Sequence, residues 1–225
     1  MGRTESSDAR SVTRAGLALA LVGAPAYAIV AGPLLVEPRT TTISGSLIGL
    51  SVMWLLAAGV VLIVLHGERR ALPSIGWIRL PWVHALQAVL IGVGLSLAVP
   101  VLSLAVGRVF PAGDAGSIAS AARMPWGLVL AAAVTAAVTE EVLFRGYALE
   151  RMGELLGQRW VGSAIAVASF TITHSAGWNL AHVVGVVLPL GIALTALYWW
   201  RRSLPFVMIV HLMIDLPLVV MSAAS

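Results

Sequence analysis

Ser46–His66 reads SLIGLSVMWLLAAGVVLIVLH, an apolar run without a single Asp, Glu, Lys or Arg. A helix rises about 1.5 Å per residue, and the hydrocarbon of a bilayer is about 30 Å thick, so about 20 such residues cross it. Inside lipid every backbone N–H and C=O must be satisfied within the protein, which makes a helix the natural form of a lone apolar segment. The run is therefore predicted to be a transmembrane helix.

Outward from this stretch the same pattern recurs. Seven spans are predicted, at 12–36, 46–66, 82–107, 127–149, 160–177, 180–199 and 204–223. Turn-forming or charged residues separate several of them, at Glu37-Pro38-Arg39, Gly67-Glu68-Arg69-Arg70, Pro111-Ala112-Gly113-Asp114 and Arg201-Arg202. No internal repeat and no low-complexity segment interrupts the series. The expected fold is all-α, a polytopic transmembrane helical bundle of about seven spans. Residues 1–11 are polar and are expected to be a disordered tail. Arg14, the apolar run after it and Ala26-Tyr27-Ala28 have the outline of a signal peptide, but the run continues through Ile29 to Val36, so an uncleaved first helix is expected.

Composition agrees. The chain has 225 residues, of which 59% are hydrophobic and only 11% charged, and its mean hydropathy is +0.95. Soluble domains carry about 25% charged residues, so this chain has too little polar surface to coat a globule in water. All 14 basic residues are Arg, and the net charge is +4. They fall mainly in short loops, which topology explains better than nucleic-acid binding. With the N-terminus inside, the inner segments hold Arg3, Arg10, Arg14, Arg69, Arg70, Arg79, Arg151, Arg159, Arg201 and Arg202, while the outer loops hold only Arg39, Arg108 and Arg123. This predicts a cytoplasmic N-terminus, and the all-Arg, Ala/Gly-rich usage suggests a bacterial plasma membrane. The absence of cysteine excludes disulfides, thiolate metal ligands and a thiol nucleophile.

Four formal charges lie deep in the apolar runs: Glu140, Glu141 and Arg145 in the fourth, Asp215 in the seventh. A charge at the helix centre costs about 2.5–3.5 kcal/mol on insertion scales, so each needs a partner or a task. His174, His182 and His211 join them at comparable depth. His66 and His84 stand at span ends and read as interfacial.

Spacing sorts this set. Glu141 and Arg145 are four apart, on one helix face and in the order that favours an ion pair. Glu140 points away from Glu141, towards the face of Phe144. Glu140 lies 17 residues before residue 157 and His174 lies 17 after it, which places them at similar depth in an antiparallel hairpin. His211 and Asp215 again share a face. Three helices can thus present Glu, His and His towards one point. A Glu–Arg pair alone is often packing glue, and a lone membrane His is more often a hydrogen-bonded packing residue. Six such groups in three spans favour a site.

The chemistry that fits is hydrolysis. A desolvated carboxylate suits a general base. Two histidines with a carboxylate can bind a divalent metal such as zinc, with Glu140, His174 and His211 as the ligand set, or can polarise water and a carbonyl without one. Asp215 is placed to orient His211. No H-E-x-x-H helix, G-x-S-G serine site or G-x-G-D aspartyl site is present. The same groups could also relay protons in a coupled transporter, or belong to a non-catalytic immunity or partner-binding membrane protein.

These residues fall into three motifs in order. Glu140-Glu141-x-x-x-Arg145, Phe170-x-x-x-His174 and His211-x-x-x-Asp215 resemble the motifs of the CAAX prenyl protease and bacteriocin-processing (CPBP, Abi) family, and Gly191 to Asp215, with Arg201-Arg202-Ser203-Leu204-Pro205, is similar to that family's approach to its third motif. The resemblance covers about residues 125–220. It implies an intramembrane endopeptidase acting on membrane-associated proteins or peptides. By that resemblance Glu140 activates water with help from His174, His211 and Asp215 stabilise the oxyanion or complete the site, and Glu141 and Arg145 support it. Many members have Asn where this chain has Asp215. The family is usually labelled metalloprotease, with a metal-free, glutamate-activated water as the rival. The resemblance divides the chain into the tail at 1–11, three N-terminal spans within 12–124, and a catalytic four-span core at 125–225. His182 lies outside the motifs and reads as a packing or interfacial residue. The implied partners are a protein or peptide substrate and the lipid bilayer, and no nucleic acid.

Overall fold

A computed structural model describes residues 2–32, 43–110 and 124–224, with side chains from residue 10 onward. Six helices are long and apolar enough to cross a membrane: α1 (Arg10–Ala31), α2 (Ile43–Gly67), α3 (Trp82–Gly107), α4 (Trp126–Leu156), α6 (Leu180–Arg201) and α7 (Leu204–Ala223). A seventh, α5 (Arg159–His174), stands between α4 and α6. No strand occurs among the described residues. The expected polytopic α-helical membrane protein is what the chain forms.

The start of each helix follows from local chemistry. Pro81 and Pro125 precede α3 and α4, where a residue without an N–H is tolerated. Asn179 caps α6 by accepting from the His182 amide at 2.9 Å, and Ser203 caps α7 by accepting from the Phe206 amide at 3.4 Å. Gly157, at φ +65°, ends α4 in the left-handed conformation that glycine adopts without strain.

Two sequence expectations need correction. The fifth span, expected at 160–177, is a helix of only 16 residues, about 24 Å long and shorter than the hydrocarbon. It stops because the carbonyls of Ile172 and His174 are taken up by the amides of Ser175, Gly177 and Trp178 in a turn. Helix also extends upstream through residues 2–11, where a disordered tail was expected; that segment has no proline and a single glycine, so nothing breaks it. The winding of α4 was not an expectation of the sequence. From Ala136 to Ala148 α4 is wound with i→i+5 hydrogen bonds, a rare, wider form that clusters at functional sites. The expected end of the first span at residue 36, and the breaks at 37–39 and 111–114, lie outside the described residues.

α4 is the axis of the bundle. Every residue from Thr139 to Arg151 is buried, whereas α3 buries only Ala88 and Gly92 fully and turns Leu97, Val101 and Leu104 outward, as suits a helix with a lipid-facing side. One apolar core joins α1, α2 and α3 (Leu17, Val60, Ala88) to α4–α7 (Phe144, Phe170, Leu194, Val210). Small residues allow close approach. A Cβ at Gly92 of α3 would come within 2.5 Å of Met213 Cβ and 2.7 Å of the Val210 carbonyl oxygen of α7, so glycine is what lets these two helices approach.

One end of the bundle is sealed by ion pairs. Arg151 meets Glu68 at 2.7 Å, Arg70 meets Glu154 at 2.7 Å and Arg202 meets Glu150 at 2.6 Å. Tyr147 Oη also donates to Glu68, at 2.8 Å. These contacts join the C-terminal ends of α2, α4 and α6.

Candidate active site

The widened segment of α4 carries Glu140, Glu141 and Arg145, all buried. Arg145 Nη1 donates to Glu141 Oε1 at 3.1 Å, so the ion pair expected from the spacing is present. Arg145 Nη2 donates to the Gly191 carbonyl of α6 at 3.3 Å, and its guanidinium lies 4.2 Å over the Phe170 ring of α5. A Cβ at Gly191 would sit 3.1 Å from that ring, so glycine is what lets α6 approach. Phe144 packs edge-on against Phe170. One cation on α4 thereby fixes α5 and α6.

Glu141 does more than the spacing suggested. The same Oε1 that receives Arg145 also accepts from His211 Nδ1 of α7 at 2.8 Å. Glu141 is thus a bridge between α4 and α7, with its charge divided between two donors. The bond uses Nδ1–H of His211 and leaves Nε2 facing Asp215 Oδ2 at 3.6 Å, beyond hydrogen-bond range. Glu141 thus holds the His211 ring by a hydrogen bond on one side, and Asp215 stands within ion-pair range on the other.

Glu140 is placed differently. Its Oε2 is buried and has no hydrogen-bond partner among the described residues. That same atom lies 3.8 Å from His174 Nε2. His174 is itself held, with Nδ1 donating to the Phe170 carbonyl at 2.9 Å, so the ring presents Nε2 to the carboxylate. The gap is too long for a direct hydrogen bond and short enough for one shared water.

All six expected site residues therefore converge from α4, α5 and α7. A cavity of about 400 Å³ opens beside them, with His174, His211 and Asp215 in its wall. The rest of its lining is mostly apolar and comes from α3, α4, α6 and α7. Trp178 also lines it, as does His182, which reads from sequence as a packing or interfacial residue outside the motifs, and their rings stack 4.2 Å apart. The signal that could have placed His182 there was a histidine within an apolar run, one turn beyond a helix start.

Among the described residues no group of three or more His, Asp or Glu side chains is arranged to hold a metal ion. His211 Nδ1 is bound to Glu141 and His174 Nδ1 to its own helix, which leaves both Nε2 atoms facing the site carboxylates.

A polytopic helical bundle with carboxylates and histidines buried beside an apolar cavity defines a membrane-embedded site for reaction at a polar group. Residues 122–217 match the family model described as Rce1-like, type II CAAX prenyl endopeptidase. The match takes in all three motifs and the helices α4–α7 that carry them, and it makes this core similar to the type II CAAX prenyl endopeptidases. No curated protein and no solved structure matches the chain.

Proposed function

We propose that the protein hydrolyses peptide bonds of membrane-associated proteins or peptides, with Glu140 as general base. The observation that carries this reading is the division between the two adjacent carboxylates. Glu141 is held through Oε1 by Arg145 and His211, with only its Oε2 left without a partner, while no Arg meets Glu140, whose buried, unpartnered Oε2 faces His174 Nε2.

The chemistry then runs through these groups. Glu140 Oε2 takes a proton from a water that it shares with His174 Nε2, and the water oxygen attacks the scissile carbonyl carbon. His211, when protonated at Nε2, donates to the resulting oxyanion, with Glu141 fixing its ring from the other side. The C–N bond breaks as Glu140 returns the proton to the leaving amine. Such a positioned base contributes about 10²–10⁴-fold, and an oxyanion donor in a low-dielectric site about 10²–10³-fold. Because the donors do not form a three-ligand set, no step is routed through a metal. Glu140→Ala and His174→Ala, purified and reconstituted, are expected to stay folded and to lose cleavage of a membrane-anchored peptide. Full activity in both variants would overturn the proposal.

Orientation belongs to the same reading. Arg70, Arg79, Arg151, Arg201 and Arg202 gather at one end of the bundle, which supports a cytoplasmic location for that end in a bacterial plasma membrane.

A further inference from the structure

A second cavity, of about 320 Å³, lies between the start of α3 and the corner joining α6 to α7. The active-site cavity uses the other ends of these three helices. Its polar wall is Arg79, His84, Arg201 and Ser203, with Trp200 and Phe206 supplying apolar surface, and no Asp or Glu lines it. Elsewhere at this end Arg70, Arg151 and Arg202 each meet a carboxylate. Arg79 and Arg201 have none among the described residues. Arg201 Nη2 donates to Gln87 Oε1 at 2.7 Å and its guanidinium lies 3.8 Å over the Trp200 ring. Its Nε is buried without an acceptor among the described residues. A buried guanidinium N–H without an acceptor is costly and needs a partner.

The depth of this cavity is set by tryptophans. Trp77, Trp82, Trp160 and Trp200 all stand at this end and are all exposed, Trp82 at 77%. Such a girdle marks the headgroup level of a bilayer.

We propose that this cavity holds the phosphate of an anionic phospholipid headgroup. A phosphate supplies the acceptors that Arg201 and Arg79 lack, and guanidinium groups bind it through paired hydrogen bonds. A zwitterionic lipid would bring its ammonium into a wall that is cationic and free of acid. Free phosphate has the same acceptor chemistry, but the tryptophan girdle places the cavity where lipid headgroups are. Basic pockets between membrane helices take anionic headgroups by this logic.

The test uses the full chain reconstituted in an equimolar mixture of phosphatidylglycerol and phosphatidylcholine, extracted in detergent and weighed with its bound lipid by native mass spectrometry. Phosphatidylglycerol is expected to be retained over phosphatidylcholine by about tenfold or more. Arg201→Gln and Arg79→Gln should each abolish the preference, and Arg69→Gln, a charge at the same end but outside the cavity, should not. Arg79 is exposed, so its variant tests the idea even if Arg201→Gln fails to fold. Lipid-free protein with inorganic phosphate should show no gain in melting temperature. Equal retention of the two lipids, or an undiminished preference in Arg79→Gln, overturns the proposal. A thermal shift with inorganic phosphate matching that with phosphatidylglycerol overturns the lipid assignment.

Discussion

Glu141 Oε1 and His211 Nδ1 lie 2.8 Å apart, across the interface of α4 and α7. The contact joins the first and third motifs of the site. In the proposed reaction Glu141 holds the bundle and Glu140 reacts.

That division predicts opposite phenotypes for two similar substitutions. Glu141→Gln removes the charge facing fully buried Arg145, and an uncompensated buried charge costs about 3–5 kcal/mol. Its melting temperature in detergent should fall steeply. Glu140→Gln should melt within a few degrees of the native protein while losing about 10²-fold or more in turnover. Equal destabilisation by both would contradict the assignment.

Acid should act at the opposite end of the bundle. Burial by itself would raise the Glu68 carboxyl, but hydrogen bonds from Arg151, Tyr147 and Thr13 outweigh it and hold the group below its ordinary value of 4.5. A carboxylate depressed in the folded state contributes stability that is present above its unfolded value and is lost as pH falls through the folded one. The melting temperature of Glu68→Gln should therefore lie below that of the native protein at neutral pH, and the difference should shrink as pH falls below about 4.5. A difference independent of pH would contradict the ionic role.

Chelation is the third test. With no three-donor group among the described residues, cleavage by the reconstituted protein should survive dialysis against a strong zinc chelator. Loss of activity restored by added zinc would show that Glu140, His174 and His211 rearrange into a ligand set.

Topology can be checked directly, because the chain has no cysteine. A single cysteine in place of exposed Arg79 should react with a membrane-impermeant maleimide only after the cytoplasmic face is opened. Labelling of intact cells would reverse the orientation.

Much of the fold is legible in the sequence. Apolar runs place α3 at 82–107 and α7 at 204–223, where the structure has them, because charge and proline bound those runs sharply. The fifth run is misjudged because hydropathy continues through Gly177 and Trp178 while the backbone turns after His174; composition does not record where carbonyls find their donors. Spacing correctly pairs Glu141 with Arg145 and sets Glu140 level with His174. It does not show the bond from Glu141 to His211, which depends on how α4 and α7 cross at Gly92 and on the wide winding of Ala136–Ala148. His182 is missed because its nearest chemical partner, Trp178, lies in the turn before its helix.

The central claim, that Glu140 hydrolyses peptide bonds at the membrane, is tested most directly by peptide termini in vivo. Membrane-fraction termini would be compared between cells carrying the native chain and cells carrying Glu140→Ala at equal abundance. The account predicts a discrete set of new termini, in or beside membrane segments, that vanishes in the variant. Identical termini in both strains would contradict it.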